Sequence, residues 1–560
     1  MNFSKNILAQ SIIDLCFKKN IKNIVISPGS RNAPLVLGFN NNSFFKTYSV
    51  VDERVAAFFA LGIAQQINEP VVLVCTSGSA LLNYYPAISE AYFSNIPLVV
   101  LSADRPKEFL NIGDGQTINQ KNVFQQNIEY SVDLDQKDKS FFSLLGLKTD
   151  NQTKINNALN ISITKQMPVH INVPFSEPLY ELTDTMSVST INIIPKLNKS
   201  RVNRINSFTK KWQNSIKKII LIGVSSPGLL NKKSIDLLAN DSSVLVLTEN
   251  TSNVYHPLFC NKIDQLIAPL TDSDLKDFRP EILITMGGMI ISKKIKVIFR
   301  NNQPKEHWHI GNHKANDTFF CLTKHFKSKP DDIIDRLYEN HIDNSSNFYT
   351  IWASVISKRK LKHIDYFSSL DYCDFKVFDT VLKSIPQKSM LQISNSSAIR
   401  YSQLFDIDKS INVYCNRGTS GIDGSTSTAI GASINYKHNT VFITGDLSFF
   451  YDSNALWNDF IPLNFRIILI NNRGGGIFKI LTKDNSSELF KKFFETKHHL
   501  SAKELCKMYG FDFYESDDES KLKLILNDFY QPSNKPKLLE VVTDSIYNQD
   551  YLLNYFEFIK

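Results

Sequence analysis

The sequence predicts an α/β protein in which a parallel sheet covered by helices is built three times over. Short apolar runs rich in β-branched residues recur along the chain, as at 71–75, 218–223 and 465–471, and continuous runs of this kind suit strands buried on both faces. Turn-forming residues close these runs, and segments with helical spacing follow, the pattern of β-α-β units. With 560 residues and a hydrophobic share of 42%, the chain has material for three or four domains.

The first region, 1–182, opens with Leu8, Ile12 and Leu15 at helical spacing, and Asp14 interrupts any signal-peptide core. A strand at 23–27 ends in Pro28-Gly29-Ser30, and an apolar helix covers 55–63. The strand at 71–75 turns through Thr76-Ser77-Gly78-Ser79 into a helix expected to run through Ala91, followed by a strand at 97–102. Residues 182–205 are polar throughout and read as a linker. A second region, 205–342, carries strands at 218–223, 243–248 and 282–286. After an Asn- and Ser-rich stretch at 341–347, the third region, 350–560, carries strands at 390–394, 440–444, 465–471 and 537–543.

Composition removes several classes of function. The charge of 63 − 55 = +8 is mild for this length, and no basic stripe marks a nucleic-acid partner. Such a balance suits small polyanionic substrates held in a cleft. The seven cysteines (Cys16, Cys75, Cys260, Cys321, Cys373, Cys415, Cys506) are scattered without a CxxC pair, which reads as reduced thiols in a cytoplasmic protein. No apolar stretch is long enough to cross a membrane as a helix. His307, His309 and His313 have no carboxylate pattern to complete a metal site, and His498-His499 reads as a polar surface or lid segment.

The third region holds the pair of segments that carries chemistry. One strand ends at Gly445-Asp446-Leu447-Ser448 and the next at Asn471-Asn472-Arg473-Gly474-Gly475-Gly476, with Asp446 and Asn472 separated by 472 − 446 = 26 positions. In an open α/β sheet, ligands bind at the carboxyl ends of strands. Mg2+ takes about six oxygen ligands, one or two of them from protein and the rest from phosphate and water. Asp446, the amide oxygen of Asn472 and a carbonyl such as that of Gly474 meet that need, and Ser448 could open a helix aimed at a diphosphate. Taken singly, a Gly-Asp or an Asn-Asn turn is ordinary loop chemistry.

Together the two turns resemble the thiamine-diphosphate signature, with Leu447 in place of its usual third glycine. That resemblance implies thiamine diphosphate with Mg2+, or Mn2+ in its place, and a carboxylic acid facing N1′ of the aminopyrimidine ring from a neighbouring subunit. Glu53, in Val51-Asp52-Glu53-Arg54 ahead of an apolar helix, falls at that position. From spacing alone, an acid that opens a helix is sufficiently explained by the macrodipole. The shared site implies a homodimer or homotetramer.

Further blocks narrow the resemblance. Ile26-Ser27-Pro28-Gly29-Ser30-Arg31-Asn32-Ala33-Pro34-Leu35, Ala103-Asp104-Arg105-Pro106 and Asn416-Arg417-Gly418-Thr419-Ser420-Gly421-Ile422-Asp423-Gly424, together with the segments above, run in order from residue 26 to 478. The chain thereby resembles the 2-succinyl-5-enolpyruvyl-6-hydroxy-3-cyclohexene-1-carboxylate synthase family of the menaquinone pathway. The resemblance implies pyrimidine-binding, central and diphosphate-binding domains at 1–182, 205–342 and 350–560. It also implies a decarboxylating, C–C bond-forming transferase that joins a unit from 2-oxoglutarate to isochorismate. On the matching positions it assigns Arg31, Arg105, Arg400 and Arg417 to substrate carboxylates, a pairing that the guanidinium fork makes bidentate. Ser30, Gln116, Ser396, Lys293 and Lys294 complete the polar pocket, and Ile477, Phe478 and Leu481 its apolar wall. Ile422 matches the bulky residue that bends the thiamine. Glu53, Ile422, Asp446, Leu447, Ser448, Asn472, Gly474 and Ile477 form the cofactor set, with Asp446, Asn472 and Gly474 on the metal. Lys294 stands where some relatives are expected to have Arg, and Tyr451 and Arg473 also depart from the common pattern.

Two other readings share the fold. One is a different thiamine-dependent decarboxylase or carboligase, which would lack the Ser-Pro-Gly-Ser-Arg block. The other is a non-catalytic nucleotide-binding protein, which would have no use for the acid at Glu53.

Overall fold

The computed structural model describes residues 2–136, 141–195, 205–339, 345–476, 478, 487–543 and 548–560. The chain divides into two compact units, one of Met1–Asn198 with Asn416–Tyr436 and Phe450–Pro462, the other of Lys199–Cys415 with Lys437–Phe449 and Leu463–Lys560.

The first unit is built on strands β1 (Phe3–Ser4), β2 (Asn23–Ile26), β3 (Lys46–Ser49), β4 (Val71–Cys75), β5 (Leu98–Asp104), β6 (Tyr130–Asp133), β7 (Val169–Pro174) and β8 (Leu182–Thr183). Six of them form a parallel sheet in the order β3-β2-β4-β5-β7-β6. Every residue of β4 and β5 is buried, as the unbroken apolar runs require of strands covered on both faces. The helix expected through Ala91 is instead two, Ser79–Asn83 and Tyr85–Ser94. Pro86 has no N–H to continue a helix and sits in the first turn of the second one. The polar stretch read as a linker is tied down as far as 195. β8 pairs antiparallel with β1, and the Thr190 hydroxyl donates to Asp14 at 2.6 Å.

In this unit the helix Glu53–Ile67 packs backbone to backbone on the helix Ser425–Ser433. A Cβ on Gly62 would lie 2.1 Å from the Thr428 carbonyl oxygen, and one on Gly431 would lie 2.0 Å from that of Phe59. Glycine at both crossing points is what permits the approach.

The second unit carries two sheets. Strands β9 (Lys218–Ile222), β10 (Val244–Thr248), β11 (Ile282–Met286), β12 (Glu306–Ile310) and β13 (Leu322–Phe326) form a parallel sheet in the order β10-β9-β11-β12-β13. Alternate residues face separate cores: Ile220 and Ile222 join Trp212 and Trp308, and Ile219 and Leu221 join Phe278 and Phe299. Strands β14 (Met390–Ile393), β15 (Asn412–Tyr414), β16 (Thr440–Gly445), β17 (Phe465–Asn471), β18 (Asp512–Ser516) and β19 (Lys537–Val542) form the third parallel sheet, β15-β14-β16-β17-β19-β18. β17 is buried along its whole length, including Arg466. Its guanidinium donates to the carbonyls of Phe529, Leu463, Phe465 and Gln531 at 2.7–3.0 Å, bonds that offset the cost of burying a charge.

His307 and His309 lie on β12, where both rings meet the Thr285 hydroxyl at 3.0 Å. Burial lowers the pKa of each to about 4, so they are neutral core histidines. Six of the cysteines are buried, Cys321 is half-buried, and all seven are free. Among the described residues no helix is long and apolar enough to cross a membrane.

Candidate cofactor and substrate site

In the second unit, β16 and β17 are hydrogen-bonded neighbours with Gly445 opposite Ile470, so Asp446 and Asn472 follow the ends of adjacent strands. Asp446 is 3% exposed and Asn472 8%. One Asp446 oxygen accepts from the Leu447 N–H at 2.7 Å, and the other accepts from the Gly474 N–H at 2.9 Å. Leu447 therefore meets Asp446 through its backbone N–H, a contact that does not depend on the side chain standing in place of the usual glycine. Asn472 donates its Nδ2 to Asp374 at 2.8 Å, while its Oδ1 is buried with no hydrogen-bond partner among the described residues. A buried orphan oxygen costs about 1–3 kcal/mol unless something binds it. A hard cation is the ligand that an acceptor-only cluster of Asp and Asn oxygens suits, so the residues fit the metal–diphosphate group that the sequence implies. Ser448 lies in the helix Asp446–Tyr451, which starts at the metal candidate itself.

His498, expected in a polar surface or lid segment, reaches inward. Its Nε2 is 3.2 Å from Asp446, and its N–H donates to the Arg473 carbonyl. Arg473 itself is exposed and takes a left-handed φ of 63°, a turn conformation that asks nothing of the side chain. Phe478 stands near Phe494, with ring centroids 6.0 Å apart. Ile477 and Leu481 lie outside the described residues.

The same unit brings Lys293, Lys294 and Arg400 to one cavity of about 350 Å³, shared with Asp264, Ser397 and Phe556. Ser396 immediately precedes the short helix Ser397–Ser402, with a φ of 71° and no capping bond from its side chain, and is next in sequence to the cavity residue Ser397. The Lys294 ammonium sits 3.9 Å from the centre of the Phe556 ring. Although the residue as a whole is exposed, enclosure of its ammonium lowers the pKa, with Asp264 opposing. Glu249, absent from the sequence reading, places the lysines. Its buried carboxylate accepts from the N–H groups of Ile291 and Ser292 at 2.8–2.9 Å and so fixes the start of the helix Lys293–Asn301. Its position at the carboxyl end of β10 was the available signal.

In the first unit, Asp52 caps the helix Glu53–Ile67 through the N–H groups of Arg54 and Val55 at 2.9 and 3.2 Å, which places Glu53 at the first helical position. Asp52 also accepts from Asn454 at 2.9 Å. Arg54 donates to the Tyr451 carbonyl at 2.9 Å and lies 4.9 Å from the centre of its ring. Tyr451, an outlier in the sequence pattern, thus helps hold the helix start. Between these anchored neighbours Glu53 is half-buried.

The loops after β2 and β5, and the segment that follows β15, carry the other candidates. Arg31 is buried, donating to the Phe175 carbonyl at 3.0 Å and pairing with Glu177 at 3.1 Å. Ser30 beside it is exposed, and a Cβ on Gly29 would meet Thr76 at 2.4 Å. Arg105 holds the Gly115 carbonyl at 2.9 Å and Asp114 at 3.1 Å. Gln116 takes a left-handed φ of 59° and accepts from the Ser77 hydroxyl through its carbonyl. Arg417 lies in a loop pinned by Glu90, whose carboxylate accepts from the N–H groups of Gly418 and Thr419, each at 2.7 Å. A Cβ on Gly418 would come within 2.5 Å of the Glu90 carbonyl. Glu90 has no local motif and was not legible in the sequence. Ile422, further along the loop, is 37% exposed.

A family profile described as "Thiamine pyrophosphate enzyme, N-terminal TPP binding domain" matches residues 7–134, and with the fold this defines a thiamine-diphosphate enzyme. Curated relatives named 2-succinyl-5-enolpyruvyl-6-hydroxy-3-cyclohexene-1-carboxylate synthase resemble the chain over its full length. Those of Flavobacterium psychrophilum and Christiangramia forsetii are 51% and 47% identical, with all of each chain covered. That of Phocaeicola vulgatus is 35% identical over 99% of this chain and 98% of its own. The chain belongs to this synthase family.

Proposed function

We propose that the protein decarboxylates 2-oxoglutarate and adds the succinyl-semialdehyde unit in 1,4 fashion to isochorismate. The products are 2-succinyl-5-enolpyruvyl-6-hydroxy-3-cyclohexene-1-carboxylate and CO2, in menaquinone biosynthesis. The observation that carries this reading is the buried, unpartnered Oδ1 of Asn472 beside Asp446, in a chain alike over its whole length to synthases of that name.

Asp446, Asn472 and the Gly474 carbonyl would hold Mg2+, or Mn2+ in its place, and Leu447 and Ser448 would line the diphosphate. Bound thiamine diphosphate supplies the electron sink for the bond that breaks when CO2 leaves. Glu53 would hold a proton at its carboxyl oxygen for N1′ of the aminopyrimidine, and Ile422 and Ile477 would supply the apolar contacts to the cofactor. Arg31, Arg105, Arg400 and Arg417 pair with the carboxylates of the two substrates, which the planar fork orients as well as attracts. Ser30, Gln116 and Ser396 add hydrogen bonds. Lys293 and Lys294 add charge without a fixed fork, and Phe478 and Leu481 would form the apolar wall.

With Glu53 and Asp446 drawn from neighbouring subunits, the working form is a homodimer or homotetramer. The reading also carries a cytoplasmic location and pyrimidine-binding, central and diphosphate-binding domains at 1–182, 205–342 and 350–560. Mass spectrometry of products from purified protein, thiamine diphosphate, Mg2+, 2-oxoglutarate and isochorismate tests it. The expected adduct requires every component. Decarboxylation without adduct would move the protein to another carboligase class, and neither product would favour a binding protein.

A further inference from the structure

We infer that Asp374 is the positioning residue that sets the orientation of the Asn472 amide, turning its oxygen rather than its nitrogen toward the metal position. The inference rests on the metal-binding reading above. An asparagine amide has two ends of nearly equal size, one an acceptor and the other a double donor. Only the oxygen end can ligate a cation, and a reversed amide would present N–H groups to it. Something must therefore choose between the two orientations.

Asp374 is placed to choose. It opens the helix Asp374–Ser384 and is 2% exposed, and a carboxylate in a first helical turn is favoured by the macrodipole. Its N–H donates to Asn548 at 2.9 Å, and its Oδ1 accepts from the Thr543 hydroxyl. Thr543 is itself tied by its N–H to the Asn471 carbonyl at 3.1 Å. The carboxylate is thus fixed at its backbone and at one oxygen, and the other oxygen accepts from Asn472 Nδ2 at 2.8 Å. An ionised carboxylate has no proton to donate, so it accepts the nitrogen end of the amide and refuses the oxygen end. Asn472 Oδ1 is left buried on the other side, without a partner among the described residues. Gly476 completes the arrangement, since a Cβ there would press on Asn472 Nδ2 at 3.2 Å. Asp374 precedes Asn472 by 98 positions, which is why no local motif reveals the pair.

The inference is tested by exchanging the two side chains. Mn2+ uptake is followed by electron paramagnetic resonance in the presence of thiamine diphosphate, and thermal unfolding is followed without cofactor. Asp374→Ala should weaken Mn2+ binding about 10–100-fold, the range seen when an outer partner of a metal ligand is lost. Asp374→Asn should weaken it less, because an amide oxygen can still accept. Asn472→Asp alone sets two carboxylates against each other and should bind worst. The double variant Asp374→Asn, Asn472→Asp restores a donor–acceptor pair with an oxygen left for the ion, and should recover affinity to within about tenfold of the parent. A merely structural Asp374 would give no such recovery, so a double variant no better than Asn472→Asp overturns the inference. So does an Asp374→Ala protein that binds Mn2+ like the parent. If Asp374→Ala fails to fold, the exchange pair still decides. If the parent itself takes up no Mn2+ with the cofactor present, the metal reading has failed, and that result is distinct from a failure of the variants.

Discussion

The first and third sheets are the same drawing with different ink. With β2–β7 renumbered 1–6, and β14–β19 likewise, both have the strand order 2-1-3-4-6-5. In the first sheet, the loops after strands one and four present Arg31 and Arg105. In the third, the loops after strands three and four present Asp446 and Asn472. The shared topology brings equivalent loops to the carboxyl edge of each sheet, where an open α/β fold binds ligands. The side chains alone decide that one edge offers cations and the other oxygen ligands. The supports differ too. Arg31 leans on a carbonyl and Glu177, whereas Asn472 leans on a buried carboxylate. Chemistry has been added to a fold that does not dictate it.

If the third sheet is the metal edge, Asp446→Ala should have the largest effect of any single change. Activity should fall more than about 100-fold, beyond what outer-partner losses cause, and Mn2+ uptake should vanish from the resonance spectrum. Retained uptake would break the contrast between the two edges. Burial holds Asp374 up at about 6 against its hydrogen bonds, and the nearby Asp446 charge adds to that.

The first unit should fail differently. Glu53→Gln keeps size and hydrogen-bonding capacity but removes the proton that the cofactor ring needs. Activity should drop about 10²–10⁴-fold, the usual worth of a general acid or base. Deuterium exchange at thiamine C2, followed by NMR, should stop while cofactor affinity stays within a few fold. Loss of affinity instead would make Glu53 a structural helix-start acid.

Much of this was legible in the sequence because the informative residues are local. A strand that ends in Gly-Asp or Asn-Asn announces both its end and its chemistry, and the strand at 71–75 was read to the residue. What stayed hidden depends on residues far apart in the chain. Glu90 meets Gly418 across 328 positions, and Glu249 meets Ile291 across 42. The break at Tyr84 is masked by apolar spacing that runs through it, although Pro86 marks the first turn of the second helix. His498 belongs to a segment that reads as polar surface or lid, and nothing in its neighbourhood singles out its contact with Asp446.

Glycines sharpen the comparison at lower amplitude. Gly62→Ala would set a methyl group 2.1 Å from the Thr428 carbonyl oxygen, and such overpacking costs about 1–3 kcal/mol. Gly445 precedes Asp446 and, among the described residues, has nothing within 4 Å of where its Cβ would lie. Gly445→Ala should therefore leave the melting temperature of the cofactor-free protein unchanged, yet weaken thiamine diphosphate binding by crowding the diphosphate. Calorimetry of both variants, with and without cofactor, separates a packing glycine from a ligand glycine. Equal destabilisation of the cofactor-free proteins would erase the distinction.

The smallest expected effect concerns the cores of the two sheets. On β7, His170 lies in register with Val100, and its ring meets the Ser102 hydroxyl at 2.7 Å and that of Ser131 at 3.2 Å. At the equivalent place on β19 the third sheet has Leu538, in register with Ile467. Burial lowers the His170 pKa from 6.5 to about 3, so the folded protein holds a neutral ring where the unfolded chain would bind a proton. The unfolded state binds more protons below pH 6.5, and stability falls as pH drops through that window toward about 3. The slope for one such group is at most about 1.4 kcal/mol per pH unit. His170→Gln retains a polar partner for Ser102 and removes the titration, so its melting temperature should decline less than the parent's between pH 6.5 and 5. Parallel declines would mean that the acid sensitivity lies elsewhere, and that the histidine in one sheet and the leucine in the other are equivalent in effect.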